Sequence, residues 1–218
     1  MLLGLLVPRL AWGNDLGMRS RPEPATRLEM FLASCSLCIR DWYPVATLVS
    51  PPLRPPGIPQ RLLNMMERGG EARFEVVRAY ARADRGKQVW AMGVSLFQSV
   101  SGGSPYRLAA GLLDEEDLPE LVAALSEMTK LLAVRERDRP AGETTVIDFR
   151  GGSIRIGVLR TEALAVAYIQ AGDVQSLTPP TELGALDALF FPVSDLGALD
   201  GIVRQVATKI QELRRGQR

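Results

Sequence analysis

The spacing of apolar and polar positions changes period along the chain. Between residues 28 and 43, Leu28, Phe31, Leu32, Cys35, Cys38, Ile39 and Trp42 recur at three- and four-residue intervals. That spacing predicts one face of an amphipathic helix, with Pro44 as its end or kink. "SPPLRPPGIP" reads as a stiff, extended linker. "QRLLNMMERGG" reads as a short helix stopped by Gly69 and Gly70. From residue 73 the period falls to two. "RFEVVRAYAR", "QVWAMGVSLF" and "YRLAAGLL" predict three strands, separated by turns at "ADRGK" and "SVSGGSP". "DEEDLPELVAALSEMTKLLA" then returns to the helical period. Its acidic start suits the positive end of a helix dipole, and Pro119 is tolerated only in a first turn. "VRERDRPAGE" reads as a charged linker.

The second half repeats the plan. "TTVIDFR", "SIRIGVL" and "ALAVAYIQA" predict strands. The loop "GDVQSLTPPTELGAL" follows, then a short strand, "DALFFPV", and a last helix to about Leu213 with Ser194 as its cap. The apolar positions of the two long helices match without a gap. Leu118, Leu121, Leu125, Met128 and Leu132 correspond to Leu196, Leu199, Val203, Val206 and Ile210. A repeat of strand order and apolar phase together points to duplication.

The expected fold class is therefore α+β: a tandem repeat of an antiparallel β-meander followed by a helix, preceded by an N-terminal helical segment. Residues 1–27 read as a disordered tail and 28–70 as the helical segment with its proline-rich linker. Residues 71–136 form the first repeat and 137–218 the second. Each helix is expected to cover one sheet face and leave the other open. On the first predicted strand Val77, Ala79 and Ala81 take one face, and Arg78, Tyr80 and Arg82 the other. In the second repeat Asp148 and Arg150 share a face, and Arg155 alternates with Ile154 and Ile156.

Composition narrows the chemistry. The chain has 218 residues, 46% hydrophobic and 23% charged, with a formal net charge of +1. No global field marks a nucleic-acid or acidic partner. Of 26 basic residues only Lys87, Lys130 and Lys209 are lysine; the arginine excess reads first as genomic base composition, although arginine also suits phosphate and carboxylate recognition. There is no histidine. This excludes Ser-His-Asp and Cys-His nucleophilic machinery and removes the commonest metal ligand. No catalytic constellation, metal site or cofactor motif is identified, and the expectation is a non-enzyme with no cofactor. No apolar run reaches the length of a membrane span. "MLLGLLVPRLAWG" lacks the basic start of a signal peptide, "MFLASC" is read as a chance likeness to a lipoprotein box, and translation from Met18 or Met30 is compatible with the pattern. The expected location is the cytoplasm.

The only cysteines, Cys35 and Cys38, form a C-x-x-C pair. A redox centre of that spacing sits at a helix N-terminus after a strand. Here both fall on the apolar stripe of the first predicted helix, so the pair reads as small buried hydrophobes. Thiol redox chemistry is the least favoured alternative, since an i, i+3 pair within a helix is poor disulfide geometry. "DEEDLPE" lacks calcium-loop spacing, and "SVSGGSPYR" and "DFRGGSIR" lack phosphate-loop spacing; they read as a helix start and as hairpin turns. "RDWYP" is a candidate exposed recognition patch, with Trp42 better explained as core. One constellation carries ligand chemistry: Arg78, Tyr80, Arg82, Arg150, Arg155 and Tyr168, where arginines can track phosphates and tyrosines stack on bases.

The stretches "YRLAAGLLDEEDLPELVAAL" and "ALFFPVSDLGALDGIV", each a closing strand running into a long helix, carry a resemblance. In arrangement, over roughly residues 73–213, the chain resembles the Whirly-type single-stranded-nucleic-acid-binding proteins and the related coactivator and Pur-repeat folds. The resemblance implies an exposed sheet face that holds single strands. Two expectations follow. The first is a binding or adaptor protein using its sheet faces for assembly with a protein partner or with itself, because those faces are rich in Val, Ala, Ile and Leu. The second is a single-stranded nucleic-acid binder using the arginine and tyrosine constellation. No membrane partner is expected.

Overall fold

The computed structural model describes residues 26–55, 63–64, 66–99, 104–133, 145–160, 164–172 and 188–216. The expected tail over residues 1–25, the linker at 134–143 and the loop at 173–186 lie outside the described residues.

The fold is α+β and duplicated. A short helix α1 (Arg27–Ser34) leads into a four-stranded antiparallel sheet, β1 (Cys38–Ser50), β2 (Gly70–Ala81), β3 (Asp84–Gln98) and β4 (Tyr106–Asp114), in meander order. Helix α2 (Leu118–Ala133) follows. A second meander of β5 (Thr145–Gly151), β6 (Ile154–Arg160), β7 (Ala165–Ala171) and β8 (Ala188–Pro192) precedes helix α3 (Leu196–Arg215). Each long helix is entered through one 3₁₀ turn, Glu115–Asp117 or Val193–Asp195. The gapless match of the helices thus extends to the residue at which each begins.

Three expectations are corrected. The helix expected across residues 28–43 stops at Ser34, and residues 38–50 form a strand paired along its length with β2. The apolar spacing of 28–43 was shared between two elements: Leu28 is buried under α1, whereas Ile39 and Trp42 lie on opposite faces of β1. Pro44 does not end a helix. It sits at a β-bulge on an edge strand, where a residue without an N–H is tolerated. The first repeat therefore has four strands, as the second does. Thr26 and Arg27 are not tail. The Thr26 hydroxyl accepts from the Glu29 N–H, and the Glu29 carboxylate accepts from the Thr26 N–H, a complete capping box. Finally, Ser194 does not cap α3. It lies inside the 3₁₀ turn, and its hydroxyl faces the Asp195 carboxylate.

The helices are exchanged between the repeats. The α3 helix, which follows the second sheet, packs on β1 and β2 of the first; α2, which follows the first sheet, packs on β5 of the second, and the two helices pack on each other. Their apolar stripes join the inner faces of both sheets in one core. Phe74, Val76, Met92 and Leu96 come from the first sheet, Ile154, Ile156, Ile169 and Phe191 from the second, and Leu121, Leu125, Leu199 and Val206 from the helices. The sheets are also tied at an edge: the Leu112 N–H donates to the Ser153 hydroxyl at 2.7 Å and the Ser153 N–H to the Leu112 carbonyl at 2.9 Å. The β5–β6 turn reaches β4 through Gly152, whose φ of 51° requires the left-handed region.

Candidate functional site

With the inner faces joined in one core, the sheets have their outer faces left to offer a ligand. They differ. On the second sheet the outer rows carry Asp148, Arg155, Tyr168, Gln170 and Phe190. All but Asp148 are buried, with Leu53 and Met66, from the connection between β1 and β2, packed over part of the face. The Ser50 hydroxyl donates to the Phe190 carbonyl beside it.

On the first sheet the outer rows read, across the strands, Trp42–Val77–Ala91–Asp114, then Pro44–Glu75–Gly93–Leu112, Thr47–Arg73–Ser95–Ala110 and Val49–Glu71–Phe97–Arg107. Helix α1 covers the first end. Leu28, Phe31 and Leu32 pack on Val77, Ala79, Ala91 and Leu112. The helix is held at its N-terminus by Asp114, whose carboxylate accepts from the N–H groups of Arg27 and Leu28 at 2.6 and 3.3 Å. Burial raises the Asp114 carboxyl above its ordinary range, against the lowering effect of those two hydrogen bonds.

The other end of this face is open. Val49 is 65% exposed and Trp42 46%, and Thr47, Arg73 and Arg107 are exposed. The Trp42 ring lies over Gly93, where a Cβ would stand 3.3 Å from it. The Arg73 guanidinium stacks on the Phe97 ring, 4.1 Å from its centroid, and also bonds Glu71. Arg107 reaches the Ser95 hydroxyl at 3.3 Å. The result is a half-face of arginines, aromatic rings and small polar groups with little net charge.

The six residues singled out in the sequence are not gathered into one groove. Arg78 and Tyr80 lie on the inner side of the first sheet, past the shared core. Arg78 Nε donates to Asp41 at 3.1 Å, and its guanidinium stands 4.6 Å from the Tyr80 ring and 5.6 Å from the Trp90 ring. Arg214 of α3 approaches Trp90 as well, at 6.0 Å. Arg82 is exposed just past the end of β2. Arg155 and Tyr168 lie on the outer side of the second sheet and are sealed: the Arg155 side chain is 3% exposed, and Arg155 Nε and the Tyr168 hydroxyl both donate to Asp148 Oδ2, at 2.8 and 3.0 Å. Burial, and then Asp148, push the Tyr168 phenol upward. Arg150 is exposed, 3.8 Å from Asp148.

The residues of the open half-face were mostly unmarked in the sequence. Trp42 stands within "RDWYP", where its helical spacing from Cys38 points to a helix core rather than to a strand face. Arg73, Phe97 and Arg107 are brought together only by strand register; the available signal was the alternation in "RFEVV" and "SLFQ", which places Arg73 and Phe97 on one face once the hairpin is paired.

The cysteines form a disulfide, Cys35–Cys38, which corrects their reading as separate small hydrophobes on a helix. The helix ends before them. Cys35 is the C-cap with extended backbone, and Cys38 opens β1, so helical spacing does not constrain the pair. Both are half-buried.

Among the described residues, no group of three or more His, Cys, Asp or Glu is placed to hold a metal ion, and no helix is long and apolar enough to cross a membrane. No protein-family model and no curated protein sequence matches this chain.

Proposed function

We propose that this chain is a non-enzymatic binding protein that docks a protein partner on the open half of its first sheet. The observation that carries this reading is the composition of that half-face. Trp42, Phe97, Arg73 and Arg107 are the residue types that anchor protein interfaces, set among small polar groups, with no lysine on the face. The charge balance favours protein over nucleic acid. Tracking a phosphate backbone takes several cations free to displace counterions, yet Arg73 bonds Glu71, Arg78 bonds Asp41 and Arg155 bonds Asp148.

A second reading, single-stranded nucleic-acid binding, is favoured by one feature. The exposed Trp42 ring and the Arg73–Phe97 stack supply the flat surfaces on which bases stack, in keeping with the arrangement-level likeness to Whirly-type folds.

Photocrosslinking in cells separates the two. Benzoylphenylalanine in place of Val49 or Arg107 is expected to give discrete adducts that survive nuclease and vanish with protease, and the same group in place of Lys130, on the exposed side of α2, to give none. Nuclease-sensitive adducts would transfer the assignment to the second reading. Adducts equally strong from position 130, or none at all from the face, would overturn both.

A further inference from the structure

Helix α1 has eight residues, a length that does not hold as a helix without anchors. Its two ends are anchored differently. The N-terminal end has the capping box, the two bonds to Asp114 and the fully buried Leu28. The C-terminal end has no such set. Phe31 and Leu32 are only half-buried, no basic residue faces the helix dipole in the last turn, and Ala33, Ser34, Ser36 and Leu37 are exposed. Besides the partial packing of Phe31 and Leu32, the Arg82 N–H donating to the Leu37 carbonyl at 2.9 Å and the Cys35–Cys38 disulfide tie this end to the sheet. The disulfide closes the turn through which the chain leaves the outer face and enters β1, four residues before Trp42.

We propose that this disulfide is a reversible redox clip that keeps the C-terminal half of α1 on the first sheet and so limits how much of the outer face a partner meets. The proposal rests on that face being the docking surface. In the oxidised chain α1 covers Val77, Ala79 and Ala91. In the reduced chain its last turn frays, and apolar surface continuous with Trp42 opens. The clip is distinguished from a catalytic thiol pair by its place: Cys35 stands at the C-terminal end of a helix, where the dipole opposes a thiolate, whereas exchange enzymes place their nucleophile at the N-terminal end. The chemistry is ordinary exchange. A low-molecular-weight thiol attacks one sulfur, a second displaces it, and the pair leaves as its own disulfide. Two electrons and two protons pass to the protein, giving two thiols. The clip then stands open in a reducing cytoplasm and shut in an oxidising compartment.

The test is hydrogen exchange on the full chain, oxidised and after reduction by a phosphine, with alkylation mass shifts recording the thiol state. A loop this short constrains the chain only moderately, so amides of residues 31–37 are expected to exchange about tenfold faster on reduction, while α2 amides are unchanged. A Cys35→Ser/Cys38→Ser variant should match the reduced protein. Equal exchange in both states overturns the clip. Faster exchange everywhere, α2 included, also overturns it, in favour of a staple for the whole fold. These readouts need no partner, so failure of the docking assignment and failure of the clip are separate results. If both hold, crosslinking from the Val77 side of the face rises on reduction.

Discussion

The two sheets share one plan and present different outer faces. In each, an aspartate on the first strand holds an arginine on the second: Asp41 with Arg78, and Asp148 with Arg155. On the first sheet that pair lies on the inner side, under aromatic rings at the margin of the core, and the outer face buries one carboxylate, Asp114, at the end covered by α1. On the second it lies on the outer side, with the arginine buried and the aspartate half-buried. The half of the first sheet's outer face beyond α1 therefore meets solvent without exposing a buried charge, whereas the second sheet's outer face carries the buried Arg155. The two sheets share the pair and differ in the side on which it lies.

The largest effect that would sharpen this comparison comes from removing each arginine. Arg155→Met removes a buried guanidinium and leaves the half-buried Asp148 with the Tyr168 hydroxyl and the distant Arg150 among the described residues, and is expected to lower the unfolding free energy by about 3–5 kcal/mol. Arg78→Met leaves an Asp41 that is already 30% exposed to water in the intact pair and loses the ring contacts, at about 1–2 kcal/mol. Denaturant unfolding of both variants measures the difference. Equal losses would mean that the two pairs do the same job, and that the sealed face is no more structural than the open one.

A smaller effect concerns the glycines that make room on each outer face. At Gly157 a Cβ would meet the Ile147 carbonyl at 2.6 Å and the Tyr168 hydroxyl and Asp148 Cβ at 2.7 Å, all fixed. Gly157→Ala is expected to cost about 2–3 kcal/mol. At Gly93 a Cβ would meet a Val77 methyl at 2.9 Å and the Trp42 ring at 3.3 Å. That ring can swing into water, so Gly93→Ala is expected to cost about 1 kcal/mol and to shift Trp42 fluorescence toward the red. An unchanged emission spectrum would show that the ring does not rest on Gly93.

How much of this could be read from residues alone depended on whether a signal was local. The helices were legible because apolar phase is a property of a single segment, and the match of Leu118 through Leu132 with Leu196 through Ile210 carried through to the helix starts. The missed strand had conflicting local signals. Phe31, Cys35, Cys38 and Trp42 fall by chance at helical spacing, Pro44 argued against a strand, and the β-branched alternation of Val45, Thr47 and Val49 came after both. The repeat itself contained the correction, since four strands before the second helix imply four before the first. The site was less legible because it is made by register. Alternation placed Arg78 and Arg155 on one face of their own strands, but not on the inner or outer side of the molecule, and the two went opposite ways. The covering of the second sheet by Leu53 and Met66 comes from the other repeat and has no trace in the strands it covers.

The smallest effect on stability is the most informative about function. Val49 and Arg107 stand on the open half-face, Val49 65% exposed and Arg107 bonded only to the Ser95 hydroxyl among the described residues. Neither fills the core, so Val49→Ser and Arg107→Ser are each expected to change the unfolding free energy by less than about 0.5 kcal/mol. Crosslinking from benzoylphenylalanine in place of Thr47, beside them on the same face, should nonetheless fall sharply in the double variant, because a docking surface is defined by side chains that matter to a partner and not to the fold. A double variant that is as stable as the parent and crosslinks as well would remove this half-face from consideration. A double variant that unfolds early would show that the open face is bound into the fold as the sealed one is, and the contrast between the two sheets would collapse.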